Sequence, residues 1–378
     1  MKPFYHPKTL YWDANNIRQI LEGRGLSQGA INLLKNFFPL AGQNLYESYI
    51  DYVQELYSAD LSYLYEIPGG IARLPAAFYN STICRYPAKD YPAITPNALG
   101  RVTWKTGTRA EGIYLNSDGK AVILGYGNKE NPGRLYEQFD YVVCAIPFST
   151  LRTIDIQPLF SSLKMQAIRE VNYINAQKTF VLFSKRFWEE GGPGVQIVGG
   201  ASYTDLPVTQ IYYPSDHAQY CVKKWTNIPG STPSTNLYYG RNINSSLSKE
   251  PGVLLASYSF NIEATRLANM PCDLRFEEIK RELEMVHGLP KGYLDPIAIA
   301  YKTVNWDDEE WFRGALCFYS PEQKRLFSCA AATPEYNNRV FFAGEHISAK
   351  HRWMQGSLKS GMEAANALAL ACKLQQHQ

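Results

Sequence analysis

Apolar positions change period along the chain. Asp13 to Glu22 and Gln28 to Phe38 carry apolar residues at spacings of three and four, which predicts two helices. They are broken at Gly23-Arg24-Gly25, and Ser27 is placed to cap the second. Tyr46 to Tyr57 continues the helical spacing. Arg101 to Gly127 then alternates apolar and polar residues around Ser117-Asp118-Gly119, a hairpin signal, and Tyr141 to Ile146 predicts a buried strand. From about Ser149 to Thr333, strands such as Thr179 to Phe183, Gln210 to Tyr213 and Leu254 to Tyr258 mix with helices. The clearest helix is Leu274 to His287, with Asp273 as its N-cap, Gly288 at its end and Pro290 beyond. Asn227 to Asn236, rich in Pro, Ser, Thr and Gly, predicts a surface loop. Val340 to Ala343 is an apolar run of the kind buried in parallel sheets, closed by Gly344. In the helix that follows, Met354, Leu358, Met362, Ala365, Leu368 and Cys372 recur at threes and fours. Beside them Ser357, Gly361, Ala365 and Ala369 form a stripe of small residues that lets a backbone approach a sheet or flat ligand.

Composition narrows the class. A chain of 378 residues, 45% hydrophobic and 19% charged, sustains a large core and two or more domains, and it shows no solenoid-period repeat. A net charge of +3 without a basic block gives no footprint for nucleic acid or an anionic membrane. Seven cysteines with no C-x-x-C pair, mostly in apolar runs, predict buried thiols. His346 and His351 are near neighbours, but a spacing of five is wrong for two metal ligands on one helical face, so no metal is expected. No apolar stretch approaches the roughly 20 residues that span a bilayer, and Met1 to Leu10 lacks a secretory apolar core. The compartment is unknown from the chain, with nothing marking export and the cytoplasm favoured.

Several residues carry candidate chemistry beside an ordinary structural reading. Glu345 stands at the carboxyl end of a strand, and the helix start after Trp353 offers free N–H groups and a positive dipole end to an electron-rich oxygen. An αβ packing unit with a half-exposed tryptophan explains the same pattern. Lys178, between apolar neighbours, is either a desolvated amine or a snorkelling strand residue. Tyr258 and Leu316 read equally as core. Gly69 and Gly70 precede a helix-like run, Ile71 to Asn80, and permit close backbone approach or a plain helix entry.

The run GEHIS followed by HRWMQGSLKSGMEAA resembles the carboxyl-terminal signature of the flavin amine oxidase family, in particular its L-amino-acid oxidases. EIPGGIARLPAAF, DYVVCAIP, NAQKTFVLFSKRFWEEGG, TDLPVTQIYYPS, GVLLASYS and WFRGALCFYSPEQ agree in the same order, so the resemblance spans nearly the whole chain. It implies an α/β (α+β) fold: a helical lobe over 1–65, an incomplete FAD-binding doubly wound domain over 66–148 and 334–378, and an inserted mixed-sheet substrate domain over 149–333. The implied activity is oxidative deamination of L-amino acids to 2-oxo acids with ammonia and hydrogen peroxide, on FAD with oxygen as acceptor. FAD would be non-covalent, since no cysteine sits beside Trp353.

By motif matching, Gly344 and Glu345 face the ribityl or ribose region, Met354 offers backbone N–H groups to the ring's pyrimidine end, and Gly69 and Gly70 line the cofactor. Trp353 forms an aromatic wall, the Arg352 carbonyl faces the amino group, Tyr258 binds the carboxylate and Leu316 meets the substrate side chain. Lys178 matches the lysine that holds a water near flavin N5. After Tyr258, Phe260-Asn261-Ile262-Glu263 departs from the family's Gly-Asp-Asp run. No strand–G-x-G-x-x-G–helix occurs, because Gly23, Gly25 and Gly29 miss the register. The family's carboxylate-pairing arginine and the histidine base of some members have no match either. Three explanations of the missing half stay open: a truncated carboxyl-terminal portion, a chain complemented by a separate amino-terminal polypeptide, and a non-catalytic remnant or interaction module; a homo-oligomer is open as well, and within the enzyme class the alternative is a monoamine or polyamine oxidase.

Overall fold

The computed structural model describes residues 6–37, 44–58, 67–83, 100–128, 133–191, 195–217 and 247–376. The lobe at its start holds α1 (Pro7–Asp13), α2 (Ile17–Gly23), α3 (Gln28–Leu34) and α4 (Tyr49–Ser58) around Ile17, Ile31, Leu45 and Tyr52. The helix expected from Asp13 starts later, because Asn16 builds a capping box with Gln19 and stops the backbone between α1 and α2. Ser27 does cap α3, accepting the Ala30 N–H at 3.2 Å. Next, α5 (Arg73–Ile83) lies on a largely exposed segment, touching Trp104 through Tyr79.

Strands β1 (Thr108–Leu115) and β2 (Val122–Asn128) form the expected hairpin, with Gly119 at φ +71 in its turn, and β3 (Leu135–Phe139) extends it. β4 (Val142–Cys144) leaves that sheet, whereas β5 (Asp155–Gln157), reached through the short α6 (Phe148–Leu151), returns parallel to β1. The strand expected to be buried at Tyr141 to Ile146 is only partly so, since Cys144 is covered while Val143 is exposed. The helix α7 (Ser162–Glu170) closes a core of Ile113, Val122, Phe148, Ile168 and Phe342.

After β6 (Asn172–Ile174), the chain builds a five-stranded sheet from β7 (Ala176–Phe183), β8 (Ala201–Tyr203), β9 (Gln210–Tyr212), β10 (Gly252–Phe260) and β11 (Ala298–Asn305). Its order is β11-β7-β10-β9-β8, so β7 and β10 are central neighbours. Two helices, α8 (Asn261–Ala268) and α9 (Cys272–Val286), follow β10, and Ile279 and Leu283 of α9 pack on Val181, Ile211 and Leu254. Asp273 sits in the first turn of α9, not at its cap, because the helix begins after Pro271. The loop expected at Asn227 to Asn236 lies outside the described residues.

β12 (Leu316–Phe318) pairs with β6, and α10 (Gln323–Ala332) leads to β13 (Val340–Phe342), which is fully buried and parallel to β4. This parallel pair is what the described residues show of the expected doubly wound sheet. The long α11 (Met354–Gln376) packs on it through Ala364, Ala367, Leu368 and Ala371 against Tyr141, Phe341 and Ala343. The face inferred from periodicity holds at Leu368 but fails in the first half of the helix, where Met354, Leu358 and Met362 are exposed while Gly356, Ser360 and Ala364 are buried. Buried thiols hold for Cys144 and Cys317 but not for Cys272 and Cys329, which are exposed.

Candidate active site at the end of strand β13

The apolar run of β13 ends at Gly344, whose φ of +138 favours glycine; a Cβ there would lie 2.5 Å from the His346 ring. The Gly344 N–H donates to Ser360 Oγ at 2.9 Å, tying the strand end to α11. Glu345 is then turned inward. Its carboxylate accepts the backbone N–H of Cys317 at 3.0 Å and that of Arg352 at 2.7 Å, so it joins β12 to the turn before α11. Burial raises its pKa, opposed chiefly by His351.

That turn carries a charged network. Arg352 has a left-handed backbone, φ +70, and its guanidinium donates to Glu55 at 2.8 Å and pairs with Glu47 at 2.5 Å. Trp353 Nε1 donates to the other Glu55 oxygen at 2.9 Å. His351 Nδ1 lies 3.2 Å from Asp51, which also accepts the Tyr319 N–H at 3.1 Å and the Lys324 ammonium at 2.7 Å. Although burial works against it, the attraction of His351 and Lys324 holds the Asp51 carboxyl well below its ordinary value; Asp51 in turn raises His351 despite burial. Burial pushes Glu47 up to about 7, with Arg352 pulling the other way. Glu47, Asp51 and Glu55 recur every four residues, Glu47 just before α4 and the other two on it, and they meet HRW from across the fold. Sequence reasoning passed over that acidic stripe, although its spacing was visible.

On β7 and β10, Lys178 and Tyr258 are cross-strand partners. The Lys178 ammonium lies 4.3 Å from the centroid of the Tyr258 ring, and among the described residues it has no hydrogen-bond or acidic partner. Burial alone lowers its pKa. Burial pushes the Tyr258 hydroxyl up to about 12, and the charge of Arg352 draws it back. Tyr258 also packs in one cluster with Phe260, Trp306, Leu316 and Phe318.

The structure thus stacks Lys178 on Tyr258 and packs Tyr258 in one cluster with Leu316, while Glu345, Arg352 and Trp353 gather in the turn before α11. Met354 is exposed at the start of α11. Gly69 and Gly70 do not join this group: they form an exposed turn with φ of +87 and +96.

The family model for flavin containing amine oxidoreductases matches residues 28–369. An L-amino-acid oxidase from Bothrops atrox is 25% identical over 365 residues, covering 94% of this chain and 59% of the relative. A putative L-amino-acid oxidase, YobN, from Bacillus subtilis (strain 168) is 27% identical over 314 residues, covering 82% of this chain and 54% of its own length. The chain thus spans under two thirds of these relatives. Among solved structures, putrescine oxidase bound to putrescine shares the fold at a TM-score of 0.65 and 15% identity, over 97% of this chain and 70% of that one. Cyclohexylamine oxidase from Brevibacterium oxydans IH-35A follows at 0.61 and 16%, over 98% and 71%. With the family match running from α3 into α11, the chain belongs to the flavin containing amine oxidoreductases.

Proposed function

We propose that this chain carries the substrate-facing residues of an FAD-dependent L-amino-acid oxidase. FAD, when bound, takes the equivalent of hydride from the carbon bearing the amine and passes the electrons to oxygen. The reaction converts an L-amino acid, oxygen and water into a 2-oxo acid, ammonia and hydrogen peroxide. Three observations support a fit to the ring end of the cofactor. Gly344 lets the backbone turn with φ +138 at the end of β13, the first residues of α11 are exposed, and among the described residues Lys178 presents a half-buried ammonium without an acid. The chain's own Cys317 and Arg352 amides engage both oxygens of Glu345, so its part is to shape the loop that faces the cofactor.

Lys178 holds positive charge, through a water, where negative charge develops on the acceptor side. The Tyr258 hydroxyl, protonated across the working range, donates to the substrate carboxylate. Trp353 walls the amine, and Leu316 with its aromatic neighbours meets an apolar side chain. The ammonium of Lys178 over Tyr258, without an acidic partner among the described residues, is the observation that carries this reading. A second reading, an amine oxidase whose substrate lacks a carboxylate, is favoured by the Arg352 guanidinium being engaged by Glu47 and Glu55.

The test is flavin absorbance of the purified chain supplied with FAD, followed by peroxide release with L-amino acids, putrescine and cyclohexylamine. A second arm co-expresses the part of an L-amino-acid oxidase that this chain does not match. Peroxide from L-amino acids in either arm is expected. Peroxide from amines alone selects the second reading; no flavin and no peroxide in both arms rejects the enzyme.

A further inference from the structure

The α4 carboxylate Glu55 touches the candidate site at two points, and only one of them, the pair with Arg352, belongs to its role in charge balance. One oxygen accepts the Trp353 indole N–H at 2.9 Å and the other accepts Arg352 Nη1 at 2.8 Å. The backbone of Trp353 is already fixed, since its carbonyl accepts the Gly356 N–H at 3.0 Å and the Ser357 N–H at 3.3 Å. Its ring is not. Among the described residues, the polar groups that meet the indole are the Glu55 carboxylate and the Lys350 ammonium, 5.7 Å from the ring centroid. The support behind Glu55 is rigid: one helical turn earlier Asp51 is bonded to Tyr319, Lys324 and His351, which pins α4 to the residue after β12, to α10 and to the turn itself.

We propose that Glu55 is a positioning residue, which sets the angle of the Trp353 wall and thereby the fit of the amine substrate, so that the helical lobe tunes the site without touching substrate. The role assigned to the wall rests on the oxidase reading; the hold of Glu55 on the indole does not. A carboxylate serves both donors at once because it has an acceptor for each. In Glu55→Gln one acceptor oxygen remains. The charged guanidinium of Arg352 takes it, and the indole N–H then faces an amide NH2.

The experiment labels the full chain with 5-fluorotryptophan and reads the ¹⁹F resonance of Trp353, assigned by its loss in Trp353→Phe. In Glu55→Gln this resonance is expected to shift and broaden, while those of the other tryptophans stay in place. Should Glu55→Gln fold poorly, Glu55→Asp is read instead: it keeps the charge for Arg352 but withdraws the carboxylate from the indole, and the same selective change is expected. A Trp353 resonance unmoved in the folded variant overturns the proposal.

In the active protein, Glu55→Gln is expected to raise KM roughly tenfold, the worth of one hydrogen bond to a charged group, with kcat nearly unchanged. Unchanged KM beside a moved resonance overturns the link to substrate fit. A moved resonance in a protein that shows no turnover sinks the oxidase reading and leaves the positioning by Glu55 standing; normal turnover with an unmoved resonance does the reverse.

Discussion

Replacing Asp51 by Asn should unfold the junction between the helical lobe and the strand-end loop before anything else in that region gives way. Asp51 is fully buried, and its two oxygens accept from the Tyr319 N–H, the Lys324 ammonium and His351 at 2.7 to 3.2 Å. An amide of the same shape keeps one acceptor and turns an NH2 toward one of the cations, which leaves buried positive charge uncompensated. Removing one partner of such a pair costs about 3–5 kcal/mol. The pH dependence follows from the shifts. The raised pKa of His351 contributes stability that is present below its unfolded value and lost as pH rises through its folded value. The lowered pKa of Asp51 contributes stability present above its unfolded value and lost as pH falls toward the folded one. Both hold together in mildly acidic solution, so the penalty should be largest near about pH 5.5 and smaller, though not zero, near about pH 9, where Lys324 still pairs. Urea unfolding of wild type and Asp51→Asn at those two values measures it. A loss under about 1 kcal/mol in the acidic sample, or a loss that grows on the alkaline side, would show that the buried pair is not what joins the lobe to the loop.

Two further outcomes are expected. Lys178→Met in a flavin-loaded, active protein should slow reoxidation by oxygen, followed by stopped-flow absorbance, more than it raises KM; equal reoxidation rates take Lys178 out of the mechanism. Lys164 is buried on α7, its ammonium donating to the carbonyls of Ala331 at 2.6 Å and Thr333 at 2.8 Å, and burial pushes its pKa down to about 7. Between that value and its ordinary 10.5 the unfolded chain holds a proton that the folded chain lacks, so stability should rise with pH by up to roughly 5 kcal/mol. Lys164→Met should flatten that slope in an unfolding series against pH; an unchanged slope refutes the assignment.

How far the sequence could be read depended on whether local or tertiary forces decided each feature. The hairpin at Ser117-Asp118-Gly119, the strands at Lys178, Gln210 and Tyr258, and the Ser27 cap were legible because turn chemistry, alternation and capping act over a few residues. Asn16 shows the limit: apolar spacing ran smoothly through it, yet a two-way cap with Gln19 outweighs periodicity over so short a helix. In α11 the apolar count misled, because the partner is the flat parallel pair β4 and β13. Close approach to the strand end calls for the small residues Ser360 and Ala364, as the loop before the helix does for Gly356, and leaves Met354, Leu358 and Met362 outside. The site itself was half legible. GEHIS and HRWMQG carry the family resemblance in one continuous run, so Glu345, Arg352 and Trp353 could be named from it. What orders them comes from a helix some 300 residues away in the chain, as the separations of Asp51 from His351 and Glu55 from Arg352 show. The four-residue repeat of Glu47, Asp51 and Glu55 looks like any solvated acidic face until the cations that bury it are in place. Its meaning lies in the encounter of α4 with the turn before α11, and that encounter is fixed by packing between segments whose own patterns do not mention one another.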